Sequence, residues 1–108
     1  MPDTTQPDCC SQPPSDRSAE ADTGSVTFAE FMKQANQPVL IDKRAKKLMA
    51  VALSVAQRCR PCLTIHIKGA LAMGITRDEI DEAANLAIAF AGCPAMMMYR
   101  EVWSELDG

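Results

Sequence analysis

Residues 42–74 read DKRAKKLMAVALSVAQRCRPCLTIHIKGALAMG, and this stretch decides the fold. Asp42 is a good helix N-cap, and Ala45, Leu48, Met49, Ala52, Leu53 and Ala56 follow it at spacings of three and four. That period marks one apolar face of an α-helix, predicted to run to about Gln57. Arg58–Cys59 breaks the pattern. A further helix is predicted beyond it, with Pro61 in the first turn, where a missing N–H costs nothing. It carries Leu63, Ile65, His66, Ala70 and Leu71 and closes at Gly74, a residue suited to the left-handed turn that ends helices.

Outward from this core the helical signals continue. Thr76 followed by Glu79 is a capping-box pair, with Asp78 and Glu79 where the helix dipole favours negative charge. It opens a helix through Ile80, Ala83, Ala84, Leu86, Ala87 and Phe90. Gly92–Cys93–Pro94 punctuates, and a last helix is predicted from about Pro94 to Leu106. Ala83, Ala84, Ala87, Ala89 and Ala91 would let neighbouring helices approach closely. On the N-terminal side, Thr27 and Glu30 form another capping-box pair, predicted to open a short helix through Phe28, Phe31 and Met32 to about Ala35. No segment alternates convincingly enough for a strand. The fold class read here is all-α, a compact bundle of about five helices.

Composition agrees. The chain has 108 residues, 47% of them hydrophobic, yet only three Phe, one Trp and one Tyr. Ala, Leu and Met carry the weight, and these are strong helix formers. A domain of this size and few aromatics has little stability to spare, and self-association is a common remedy. Residues 1–25 form a different region. They hold four of the seven prolines and five acidic side chains against Arg17 alone. Such a segment has too little apolar surface to offset the entropy of ordering, so we read 1–25 as a disordered acidic tail and 26–108 as the folded domain. Cys9 and Cys10 in the tail read as incidental exposed thiols.

The net charge of -3 and the near-neutral folded part exclude the basic stripe of a nucleic-acid binder. No apolar stretch approaches the ~20 residues that span a bilayer, and the N-terminus lacks the pattern of a secretory signal. A cytoplasmic location is expected. There, a C-x-x-C pair is more often catalytic or metal-binding than a structural staple.

The chemistry-bearing element is CRPCLTIH, which sets Cys59, Cys62 and His66 in the spacing C-x-x-C-x-x-x-H. On a helix these three fall within about 60° of one another. Cys62 and His66 are an i, i+4 pair, and Cys59 lies at the helix start, where free N–H groups favour an anion. A thiolate is the reactive form of cysteine, and both a helix N-terminus and a nearby histidine favour it. His66 is the chain's one histidine, so any acid–base step through imidazole falls to it. Zinc is the competing reading, with Cys93 as a fourth ligand, although structural zinc sites usually pair two ligand loops. Haem attachment would need histidine directly after the second cysteine. Buried cysteines acting as small hydrophobes are the bland alternative. The run Met96–Met97–Met98 points in three directions on a helix and reads as packing rather than a metal site. Tyr99 and Trp103, one turn apart, read as a shared buried or interface face.

From about Asp42 to Leu106 the sequence resembles the carboxymuconolactone decarboxylase-like superfamily, and within it the alkylhydroperoxidase D-like branch. The resemblance rests on the alanine-rich helix, CRPCLTIH, the turn GITRDEI and the later Gly–x–Pro break. It implies an all-α domain assembled as a homotrimer or homohexamer, with no bound cofactor or metal. It implies a Cys59–Cys62 pair that cycles between dithiol and disulfide and reduces peroxides, or exchanges with a protein disulfide. Cys62 would attack, Cys59 would resolve and His66 would shuttle the proton. Helix-terminus reasoning alone would instead favour Cys59 as the more acidic thiol. Electrons would come from a lipoylated protein or pass to a peroxiredoxin. True lactone decarboxylases generally lack the cysteine pair, so carbon-acid or lactone chemistry around His66 is the alternative, beside a zinc-binding interaction domain. Relatives usually carry a glutamate about twelve residues before the first cysteine as part of a proton relay. This chain has Lys47 there, with Glu79, Asp81 and Glu82 as conceivable but cheaper-to-explain substitutes.

Overall fold

Asp42 accepts a hydrogen bond from the Ala45 backbone N–H at 2.7 Å, so the cap predicted for the second helix forms. The structure, a computed structural model, describes residues 21–108, with side chains from residue 27 onward. Residues 1–20, with Cys9 and Cys10, lie outside the described residues. The described residues form five helices: α1 Ala21–Asn36, α2 Lys43–Ala56, α3 Arg60–Ala72, α4 Arg77–Ala91 and α5 Cys93–Asp107. The described residues contain no strand, and the all-α reading holds.

The chain divides into two units at Gln37–Pro38. In the first, α1 starts at Ala21, so Thr27 and Glu30 lie inside the helix and do not cap it. This corrects the predicted start. A Thr and a Glu three apart suit a helix interior as well as a capping box, because i and i+3 share a face. The α1 side chains Phe28 and Phe31 approach with ring centroids 6.4 Å apart.

In the second unit, α2 to α5 pack around a core of Val51, Val55, Leu63, Ile67, Ala70, Ile75, Ile80, Ala84, Ala87, Ala95, Met98, Tyr99, Val102 and Trp103. The elements are short and their ends are chemically defined. The Thr76–Glu79 capping box is complete in both directions and opens α4. Gly92, at φ 90°, ends α4 and begins α5 without an intervening residue. Tyr99 donates to Asp81 at 2.5 Å and meets Trp103 edge-on, while the Arg77 guanidinium lies 3.8 Å from the Trp103 ring centre. The methionine run splits as helix geometry requires, with Met98 buried and Met97 exposed.

Several predicted face residues are not in the core. Leu53, Leu86 and Phe90 are 62%, 64% and 85% exposed. Periodicity identifies an apolar face but not what covers it.

No helix among the described residues is long and apolar enough to cross a membrane.

Candidate active site

The site begins where α2 stops. The Cys59 N–H donates to Ser54 O at 3.0 Å and the Arg58 N–H donates to Val55 O at 3.0 Å. This double closure is a Schellman motif, and it requires a left-handed residue between helix and exit. Arg58 fills that position at φ 54°. The chain repeats the motif at the end of α3, where Ile75 N–H donates to Ala70 O and Gly74 N–H to Leu71 O, both at 3.0 Å. There the left-handed residue is Gly74 at φ 86°.

The turn at Arg58 delivers Cys59 directly to the N-cap of α3. Its Sγ accepts from the Cys62 backbone N–H at 3.3 Å, the place a serine or aspartate oxygen takes at other helix starts. Cys59 Sγ and Cys62 Sγ are bonded, with 5.3 Å between the Cα atoms. Cys62 is exposed and Cys59 partly so. Two clefts elsewhere on the second unit, one along α4 and α5 and one along α2 and α4, are not lined by Cys59, Cys62 or His66. Arg60 ties this end of α3 to α5, donating to Glu101 at 2.7 Å and to Glu105 at 2.5 Å.

His66, one turn beyond Cys62, is partly buried. Its Nδ1 lies 3.2 Å from Lys47 Nζ on α2. Burial, and after it the Lys47 charge, holds His66 below its ordinary imidazole value, so the neutral ring is favoured. Two of the three carboxylates considered as substitutes for the relay glutamate are engaged elsewhere. Glu79 is bonded by Arg44 and by Thr76, which hold its carboxyl down at about 2, and Asp81 accepts from Tyr99.

The structure therefore brings Cys59 and Cys62 together and adds Lys47 to His66. It does not assemble the four-ligand zinc site. Cys93 is an exposed free thiol, and no group of three or more potential ligands gathers among the described residues. Lys47 stands out in the sequence as the residue in place of the relay glutamate, and its contact with His66 is what the structure adds. The available signal was Gly69, a glycine in the middle of a helix, where that residue is costly unless space demands it.

Comparison with known proteins bears on the family and the fold. Residues 26–105 match the model of the Carboxymuconolactone decarboxylase family. An uncharacterized protein of Cupriavidus necator is 34% identical over 80 residues, which are 74% of this chain and 71% of that protein. Uncharacterized protein 4 in the cox locus of Paracoccus denitrificans is 44% identical over 67 residues, 62% of this chain and 60% of that one. Among solved structures, a carboxymuconolactone decarboxylase family protein of Thermotoga maritima, described in connection with an antioxidative response, superposes with a TM-score of 0.72 at 24% identity, over 78% of this chain and 87% of that one. An apo family member from Legionella pneumophila gives a TM-score of 0.70 at 27% identity, over 82% and 79% of the two chains.

Proposed function

The chain belongs to the carboxymuconolactone decarboxylase family, and within it we propose a thiol–disulfide oxidoreductase of the alkylhydroperoxidase D-like kind. The observation that carries this reading is the bonded Cys59–Cys62 pair at the start of α3, with His66 one turn along. In the reduced protein the Cys62 thiolate attacks a peroxide oxygen. The S–O bond forms, the O–O bond breaks, and the alkoxide leaves with the electron pair and takes a proton. Cys59 then displaces water from the sulfenic acid and closes the disulfide. For the return, a dithiol donor attacks the exposed Cys62 sulfur. Cys59 departs as a thiolate, which the free N–H groups of the α3 start stabilise.

A donor of this kind is a lipoylated protein, or the pair hands its electrons to a peroxiredoxin. The exposure of Cys62 suits a macromolecular donor. The protein acts in the cytoplasm as a homo-oligomer, in which the exposed Leu53, Leu86 and Phe90 would be covered.

The test is mass spectrometry of thiol-labelled protein before and after one equivalent of peroxide, with metal content read on the same sample. Rapid, dithiol-reversible loss of two labels mapping to Cys59 and Cys62 is expected. Cysteines that ignore peroxide would defeat the reading and direct attention to carbon-acid substrates at His66. Stoichiometric zinc on the same cysteines would defeat it in favour of a structural site.

A further inference from the structure

Lys47 and His66 are nineteen positions apart and meet across α2 and α3 at 3.2 Å. A lysine ammonium has only donors, so this contact is a hydrogen bond only when Nδ1 offers its lone pair. The ring proton then resides on Nε2. A doubly protonated ring would set a donor against a donor at that distance. A carboxylate in the same place would do the reverse, holding a proton on Nδ1 and leaving Nε2 free as a base.

Gly69 explains how Lys47 gets there. Its backbone adopts no left-handed conformation, so the chain does not need glycine for its dihedrals. What glycine offers here is room for the lysine side chain. A Cβ at Gly69 would stand 3.1 Å from Lys47 Nζ and 3.4 Å from Lys47 Cε. The lysine side chain therefore crosses α3 over a notch one turn beyond His66.

We propose that Lys47, seated over Gly69, fixes His66 as an Nε2–H donor and makes the pair a proton-delivery relay for the leaving oxygen of a hydroperoxide. This rests on the redox reading above and deepens it toward one substrate class. As the Cys62 thiolate takes the distal oxygen and the O–O bond breaks, the departing alkoxide receives the Nε2 proton. Nδ1 receives one from Lys47, which is left as a neutral amine. Cys59 thiol and Cys62 sulfenic acid then give the disulfide and water. Lys47 regains its proton from solvent, and the ring returns to its starting tautomer. Two thiols are oxidised, and one peroxide becomes an alcohol and a water. An alkoxide is a far stronger base than a thiolate, so a hydroperoxide gains from this delivery where a disulfide substrate gains little. Lys47 is a positioning residue in this scheme, acting through His66.

Because the chain has one histidine, its ring can be read without assignment ambiguity. The experiment is a two-bond proton–nitrogen NMR correlation of His66 in the full chain, wild type against Lys47→Met, Lys47→Arg and Gly69→Val, with a pH titration. The same proteins are then assayed with an alkyl hydroperoxide and with an aromatic disulfide. Wild type is expected to show the Nε2–H tautomer. Lys47→Met and Gly69→Val should mix the tautomers and raise the His66 pKa, and Lys47→Arg should restore both. Hydroperoxide turnover should fall by about tenfold or more in Lys47→Met, and disulfide turnover by less than about threefold. An unchanged tautomer in Lys47→Met, or equal loss on both substrates, overturns the proposal. Loss of the redox reading itself would show differently, as turnover that survives in Cys62→Ser while the His66 spectra behave as expected.

Discussion

Arg58 and Gly74 perform the same backbone task, one at the end of α2 and one at the end of α3, with φ angles of 54° and 86°. Glycine does this without steric cost, and arginine does not. The chain thus bears strain at the residue before the first cysteine of the disulfide and avoids it at the equivalent point one helix later. Arg58→Gly should therefore stabilise the protein by about 1 kcal/mol, read as a higher urea midpoint at unchanged slope. A lower midpoint would mean that the arginine side chain contributes more than its conformation costs.

The two cysteines should separate by function. Cys59→Ser should leave Cys62 able to react once with peroxide and stall as a sulfenic acid, trapped by a dimedone-type probe and seen as a mass increase on Cys62. Cys62→Ser should show no turnover and no adduct on Cys59. The opposite labelling would assign attack to the residue favoured by helix-terminus reasoning alone.

His66 makes stability depend on pH with a definite sign. Its folded pKa lies below 6.5, chiefly through burial and then through Lys47, so the unfolded chain binds more protons between that folded value and about 6.5. Stability should be complete above this window and fall as pH drops through it. His66→Gln should remove that slope from urea midpoints measured across the window. Lys47→Met should shrink it without abolishing it, because burial is the larger cause.

Glu79 acts further down the scale. Its carboxyl is held at about 2 against an ordinary 4.5, first by Arg44 and then by Thr76. The contribution is present above about pH 4.5 and is lost as the pH falls toward 2. Glu79→Gln should flatten acid unfolding over that range, and Arg44→Met should flatten it in part. An unchanged acid limb in both would show that solvent screens this exposed pair completely.

The parts of this fold legible in the sequence are those fixed by local chemistry. Asp42, Thr76 with Glu79, Gly74 and Gly92 each mark a helix end through a side chain or a missing one, and α2 to α5 fall where those signals stand. The start of α1 was not legible, because Thr27 and Glu30 fit a helix interior equally well. Coverage was not legible either. Leu53, Leu86 and Phe90 keep the helical period, yet their own chain leaves them open. At the site, the sulfur pair and the turn to His66 are sequence-local and were read directly. The Lys47 contact is not, since it depends on how two helices lie against each other and on a notch at Gly69.

Cys59 is at once half of a disulfide and the N-cap of α3, and this joins two equilibria into one thermodynamic cycle. Opening the disulfide turns its capping sulfur from a weak, neutral acceptor into an anionic one, so the electron pair that arrives at the site also tightens the helix start. Any stability gained by the reduced form must reappear, sign reversed, as reluctance to give those electrons up. The cap therefore pushes the couple toward the oxidising end. Unfolding of the reduced and oxidised forms, set beside a redox-buffer titration of native and unfolded chain, should return the same free energy by both routes.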